Sequence, residues 1–132
     1  MRIALIGYGK MGREIEAIAR EQGDTIAGVF DSKRHVAAED LSDADVCIEF
    51  STPSAALANI RTAIEARKDI VVGTTGWHQH LAELKEKVRE SGLLYSANFS
   101  LGMTSAAAMM PTVFINCCLY GVAPTIRPAL RS

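Results

Sequence analysis

Arg2-Ile3-Ala4-Leu5-Ile6-Gly7-Tyr8-Gly9-Lys10-Met11-Gly12 runs from a short apolar stretch into a glycine turn, and residues 10–22 then carry Met11, Ile15 and Ile18 at helical spacing. The turn comes too early for a signal peptide or a membrane span, so the segment reads as strand, tight turn and helix. In Gly-x-Gly-x-x-Gly the first glycine permits the turn, the second leaves backbone room beside an anion, and the third lets helix and strand pack closely. The helix that starts there aims unpaired N–H groups and the positive end of its dipole at the turn, which suits a pyrophosphate. Gly7, Tyr8, Gly9, Lys10, Met11 and Gly12 are therefore candidate dinucleotide-binding residues. A bare glycine pattern also occurs in ordinary strand-to-helix turns, so its weight here comes from its position between an apolar run and a helical one.

The same unit recurs downstream. Gly23 and Asp24 close the first helix, and residues 25–30 form a β-branched strand ending at Asp31. Residues 45–50 read as another strand, after which Thr52 supplies an N-cap and Pro53 the first position of a helix through residue 67. Residues 69–72 form a short buried strand before Gly73-Thr74-Thr75-Gly76. Residues 77–90 form an amphipathic helix stopped by Gly92, and residues 93–96 the last strand. Strands alternate with helices throughout. Parallel neighbours need right-handed helical crossovers, so the expected fold is α/β, a Rossmann-type parallel sheet with helices on both faces, spanning residues 1–103.

With 132 residues the chain is one domain's worth, and a 48% hydrophobic, 22% charged composition is that of an ordinary globular protein. A net charge of -1 offers no field for nucleic acid or an anionic membrane, so neither is expected as a partner and a cytoplasmic location is. Cys47, Cys117 and Cys118 have no metal-type spacing and are read as reduced thiols; no metal site is expected. Composition changes after Met103. Residues 104–132 hold none of the 15 acidic residues, only Arg127 and Arg131 of the 14 basic ones, and three of the four prolines. Pro111, Pro124 and Pro128 exclude a long helix there, and with no charged face the segment is expected to pack on the sheet, self-associate at low order or reduce solubility.

The remaining candidates sit where ligands bind in open parallel sheets, at the carboxyl ends of strands. Asp31 stands where an acidic side chain accepts hydrogen bonds from adenosine ribose hydroxyls, which suits NADH. Lys33 and Arg34 follow at once and suit a 2′-phosphate, so NADPH is equally open. Ser51, Thr52, Gly73, Thr74 and Thr75 offer hydroxyls and small side chains to a sugar, although either loop alone also fits a plain helix cap. Asn98, Phe99 and Ser100 add an amide and a hydroxyl beyond the last strand. His78 and His80, two apart on a helix, point to different sides and read as surface residues, as does His35, for which adenine contact is the alternative.

GYGKMGREI, IEFSTPSAALANI, VVGTTGW and SANFSLGM, in that order, resemble the N-terminal domain of the 4-hydroxy-tetrahydrodipicolinate (dihydrodipicolinate) reductases of lysine and diaminopimelate synthesis. The resemblance covers residues 1–103. It implies that Gly73, Thr74 and Thr75 approach the nicotinamide ribose and that Asn98, Phe99 and Ser100 lie against the nicotinamide. Lys10 stands where the family often has arginine, in a loop one residue shorter than in many members. The family's substrate domain, with an E-x-H-H-x-x-K-x-D-x-P-S-G-T segment that supplies an imidazole acid, a lysine and a carboxylate clamp, finds no counterpart in this sequence. No catalytic residue is therefore assigned. The expectation is an NAD(P)H-binding domain of a reductase for a cyclic dicarboxylate, inactive as this isolated chain. Two alternatives stand beside it: a substrate domain supplied in trans, and a non-catalytic NAD(P)-binding or interaction module. Residues 104–132 are expected to be unlike that substrate domain, through a frameshift or replacement at the Thr104 codon.

Overall fold

A computed structural model describes residues 1–88 and 91–95. Five parallel strands, β1 (Arg2–Ile6), β2 (Thr25–Phe30), β3 (Val46–Glu49), β4 (Asp69–Val72) and β5 (Leu93–Tyr95), form one sheet in the order β2-β1-β3-β4-β5. Three helices accompany them: α1 (Lys10–Glu21), α2 (Pro53–Glu65) and α3 (Leu81–Lys87). The order reverses direction at β1, because the chain first moves outward to β2 and then returns across β1 to β3. Right-handed crossovers in opposite directions put their helices on opposite faces. One core layer accordingly joins Ile15 and Ala19 of α1 to Ile3, Leu5 and Ile48. The other joins Ala56, Ile60 and Ala63 of α2 and Leu84 of α3 to Ala4, Ile6, Cys47, Ile70 and Val72. A strand covered on both faces reads as a near-continuous apolar run, and in β1 Ile3, Ala4, Leu5 and Ile6 are all buried.

Three expectations need correction. Helices do not alternate with strands throughout: between β2 and β3 the described chain has only a 3-10 turn, Ala38–Leu41, because the stretch from Asp31 to Asp45 brings few apolar side chains, Leu41 and Ala44 being buried and Val36 partly so. The helix expected from residue 77 begins as a separate 3-10 turn, His78–His80, since Trp77 is anchored by its indole N–H to the Thr74 carbonyl at 2.7 Å and its backbone must first bend around that bond. Residues 89, 90 and 96 of that helix and the following strand lie outside the described residues. The helix expected to run through residue 67 stops at Glu65, with Ala66 as C-cap and Arg67 at φ 57°, the left-handed conformation that ends helices and is more often taken by glycine. No described helix is long and apolar enough to cross a membrane, and no cluster of metal-ligating side chains occurs among the described residues.

Candidate functional site

The carboxyl ends of the strands are held together by backbone bonds that continue past the strands. Gly7 N–H donates to the Phe30 carbonyl (2.8 Å), Phe50 N–H to that of Ile6 (2.8 Å) and Gly73 N–H to that of Glu49 (2.9 Å). Each of the three loops above the sheet thus starts from a fixed point. Gly7 has φ 96°, and a Cβ there would collide with the Phe50 carbonyl, so only glycine makes this turn. A Cβ on Gly12 would strike the Gly7 carbonyl, which shows how tightly the first turn of α1 folds back on the end of β1. Gly9 differs from both. It is the N-cap of α1, no side chain caps the helix, its first turn holds no acidic residue, and a Cβ on Gly9 would meet nothing within 4 Å. The amide end of α1 therefore opens onto free space at the switch point of the sheet, where an anion can approach.

Two clefts meet there. One, about 450 Å³, runs from Gly7, Tyr8 and Gly9 across Ser51, Thr52 and Asn59 to Asp31, Ser32 and His35. The other, about 400 Å³, lies between Lys10 and Met11 on one side and Gly73, Thr74 and Thr75 on the other. Gly9, Phe50 and Ser51 line both. An elongated molecule with a phosphate-rich middle and two ribose-bearing ends matches this outline: the glycine turn in the middle, Asp31 at one end, the threonine loop at the other. Gly73 is required beneath that loop because a Cβ there would run into the Phe50 ring.

Sequence reasoning overlooked the carboxylate that organises the shared wall. Glu49, at the end of β3, is fully buried. Its Oε1 accepts the Ser51 hydroxyl, the Ser51 N–H (3.2 Å) and the Asn59 side-chain amide (3.2 Å), and the Ser51 N–H is also 2.9 Å from Thr74 Oγ1. Oε2 is buried with no hydrogen-bond partner. An acidic residue inside the apolar run Val46-Cys47-Ile48-Glu49-Phe50 was the available signal, since a buried carboxylate must be hydrogen-bonded to be tolerated. Thr74 thus ties one loop to the other through Oγ1 and holds Trp77 through its carbonyl, while Thr75 is exposed. Thr52 sits at the N-cap of α2 as expected, yet its hydroxyl meets Ser54 Oγ at 3.1 Å and makes no capping bond.

At the far end of the first cleft the Asp31 carboxylate accepts the N–H groups of Lys33 (2.8 Å) and Arg34 (3.0 Å). Those two bonds, with the nearby positive charge of Lys33, hold it below the usual carboxylate range. Arg34 and Lys33 do not line the cleft; the Arg34 guanidinium lies over the Phe30 ring at 4.8 Å and 3.9 Å from Asp40. Tyr8 donates its hydroxyl to Glu16, which raises the tyrosine and lowers the carboxyl from their ordinary values, and Arg20 also binds Glu16. His78 is exposed but stacked on Trp77 at 4.6 Å, and His80 Nδ1 is 3.7 Å from Glu83; neither lines a cleft. Asn98, Phe99 and Ser100 lie outside the described residues.

The sheet order, the two-faced helical cover and the glycine turn at the switch point define a Rossmann-type α/β domain. A putative homoserine dehydrogenase from Archaeoglobus fulgidus has a similar fold, with a TM-score of 0.59 at 20% identity over 74% of this chain and 42% of that one. Residues 1–99 match the family model described as dihydrodipicolinate reductase, N-terminus, and the chain belongs to that family. It is 42% identical over 107 residues to the 4-hydroxy-tetrahydrodipicolinate reductase of Christiangramia forsetii, and 34% identical over 114 residues to that of Staphylococcus aureus. Each alignment takes in 78% of this chain but only 44% and 46% of those reductases, so the chain spans about half the length of the relatives it matches.

Proposed function

We propose that the chain is the cofactor-holding half of a 4-hydroxy-tetrahydrodipicolinate reductase and binds NADH or NADPH across the two clefts. The observation that carries this is the meeting of both clefts at Gly9, over the uncapped amino end of α1. Gly7, Tyr8, Gly9, Lys10, Met11 and Gly12 would receive the pyrophosphate and Asp31 the adenosine ribose. Ser51, Thr52, Gly73, Thr74 and Thr75 would face the nicotinamide ribose, and Asn98, Phe99 and Ser100 take the nicotinamide by family resemblance. When bound, the reduced nicotinamide supplies hydride. The chain's own part is to fix the dinucleotide: the first-turn N–H groups neutralise the phosphates, and the Glu49–Ser51–Thr74 network holds both ribose loops at one spacing.

The substrate is proposed to be a cyclic dicarboxylate, with proton donor and carboxylate clamp belonging to a domain that residues 104–132 do not resemble. A cytoplasmic location follows from that biosynthetic role. On this basis the purified chain binds dinucleotide without reducing 4-hydroxy-tetrahydrodipicolinate, and residues 104–132 mediate low-order self-association. Calorimetric titration of the folded chain should show saturable binding of NADH or NADPH. Absence of binding by both overturns the proposal, and turnover at an ordinary enzymatic rate overturns its inactive half.

A further inference from the structure

We propose, resting on the dinucleotide assignment above, that His35 is the residue that selects between a free and a phosphorylated 2′-position on the adenosine ribose, favouring the phosphorylated form when its imidazole is charged. Residue type alone points to Lys33 and Arg34 for that task. The cleft wall at this end is instead made by Asp31, Ser32, His35 and Val36. Lys33 and Arg34 serve the turn: their N–H groups close on the Asp31 carboxylate, and Asp31 N–H returns a bond to the Arg34 carbonyl at 3.1 Å. This double closure reverses the chain immediately after β2 and brings residue 35 back beside residue 31. The Arg34 guanidinium is meanwhile taken up by the Phe30 ring and Asp40.

A 2′-phosphate at this end meets the Asp31 carboxylate, which the turn keeps ionised. A carboxylate repels a phosphate, and a neutral imidazole leaves that repulsion in place. An imidazolium offsets it and offers N–H donors, while the Ser32 hydroxyl offers a donor that does not change with pH. The titratable side chains of the cleft wall are Tyr8, Asp31 and His35, flanked by Lys33, Arg34 and the Asp40 of the 3-10 turn. Of these residue types only histidine ordinarily changes charge between about pH 5 and 8. The phosphate monoester itself also titrates near pH 6, but that change is common to every variant of the protein.

The test is calorimetric: dissociation constants for NADH and NADPH at pH 6 and pH 8, for the native chain, for His35→Gln, and for a Lys33→Ala/Arg34→Ala double variant. His35 is exposed, so the His35→Gln chain is expected to fold, and circular dichroism checks it. In the native chain the preference for NADPH over NADH should fall by roughly 3- to 10-fold more between pH 6 and pH 8 than in His35→Gln, the size of a partly screened charge contact. The double variant should keep the native pH dependence. Equal pH dependence in native and His35→Gln overturns the proposal, as does an equal loss of NADH and NADPH binding in His35→Gln, which would mark an adenine contact. Loss of the NADPH preference at both pH values in the double variant, with the preference unchanged in His35→Gln, would return the role to Lys33 and Arg34. Failure of the native chain to bind either dinucleotide overturns the cofactor assignment itself, and this proposal with it.

Discussion

Gly7 and Gly9 stand two residues apart in one motif and serve different ends, Gly7 the fold and Gly9, on the proposed function, the ligand. Gly7→Ala places a side chain at φ 96° against the Phe50 carbonyl, a backbone atom of a residue whose N–H is tied to the Ile6 carbonyl, so neither partner can give way cheaply. We expect a loss of about 2–5 kcal/mol, the range of a strained and overpacked core position. Gly9→Val meets nothing within 4 Å at its Cβ and sits at φ -83°, which any residue adopts, so its melting temperature should stay within a few degrees of native. Its dinucleotide affinity should fall by roughly 100-fold or more, about 3 kcal/mol, because the valine fills the space the pyrophosphate needs. Thermal melts and calorimetry on the two variants give opposite patterns if the assignment holds; a destabilised Gly9→Val that still binds would refute it. The spacing of the glycines was legible in the sequence, and so was Asp31 at the end of β2. The division of labour among the glycines was not, because it depends on Phe50, which follows β3 and lies 43 residues further along the chain. Glu49 was hidden for a related reason: its partners Ser51 and Asn59 look like ordinary loop and helix polars until α2 folds back over β3.

At the scale of elements, apolar runs between turn signals located the five described strands to within a residue or two, since inner strands such as β1 and β3 are buried along nearly all their length and need no alternation. The crossover after β2 and the start of α3 were less legible because tertiary anchors set them: Leu41 in the core for the first, the Trp77 indole for the second. Also unannounced was the tie between α2 and α3, where Arg61 binds the Glu83 carboxylate at 2.9 Å and Lys87 lies 3.1 Å from it. These bonds, the one from Arg61 first, hold Glu83 at about 2, below its ordinary 4.5. A carboxyl with a depressed folded value binds fewer protons folded than unfolded in that interval, so its contribution is complete above about pH 4.5 and disappears as pH falls toward 2. The melting temperature of the native chain should therefore drop more steeply between pH 4.5 and pH 2 than that of Glu83→Gln. The difference should shrink in 1 M salt, because the pair is at the surface. Parallel pH profiles for the two proteins would mean that the tie contributes nothing to stability.

At the scale of the whole molecule, the proposed cofactor cleft and the core should open as one cooperative unit, and Cys47 is placed to test it. It is fully buried in β3, the middle strand of the sheet, and burial pushes its thiol up to about 12. The thiolate is the reacting form, so the folded chain should resist thiol reagents at neutral pH and react only when β3 is released. Replacing Cys117 and Cys118 with serine leaves Cys47 as the sole thiol, and its labelling then reads the opening of the sheet. The first cleft is built on Ile6 and Phe30, the ends of β1 and β2, and on Phe50, the residue after β3, so an opening that bares Cys47 should also dismantle the proposed dinucleotide site. A ligand that binds only the closed form stabilises it by about 2.7 kcal/mol at 100 times its dissociation constant. When closing is fast relative to labelling, the observed rate follows the open population, so the same dinucleotide concentration should slow Cys47 labelling by roughly 100-fold. Gly9→Val, folded but binding roughly 100-fold or more weakly, should have its labelling slowed by no more than about 2-fold at that concentration. Binding detected by calorimetry with no protection of Cys47 would show that β3 opens while the cleft persists, and the coupling of site to core would have to be abandoned.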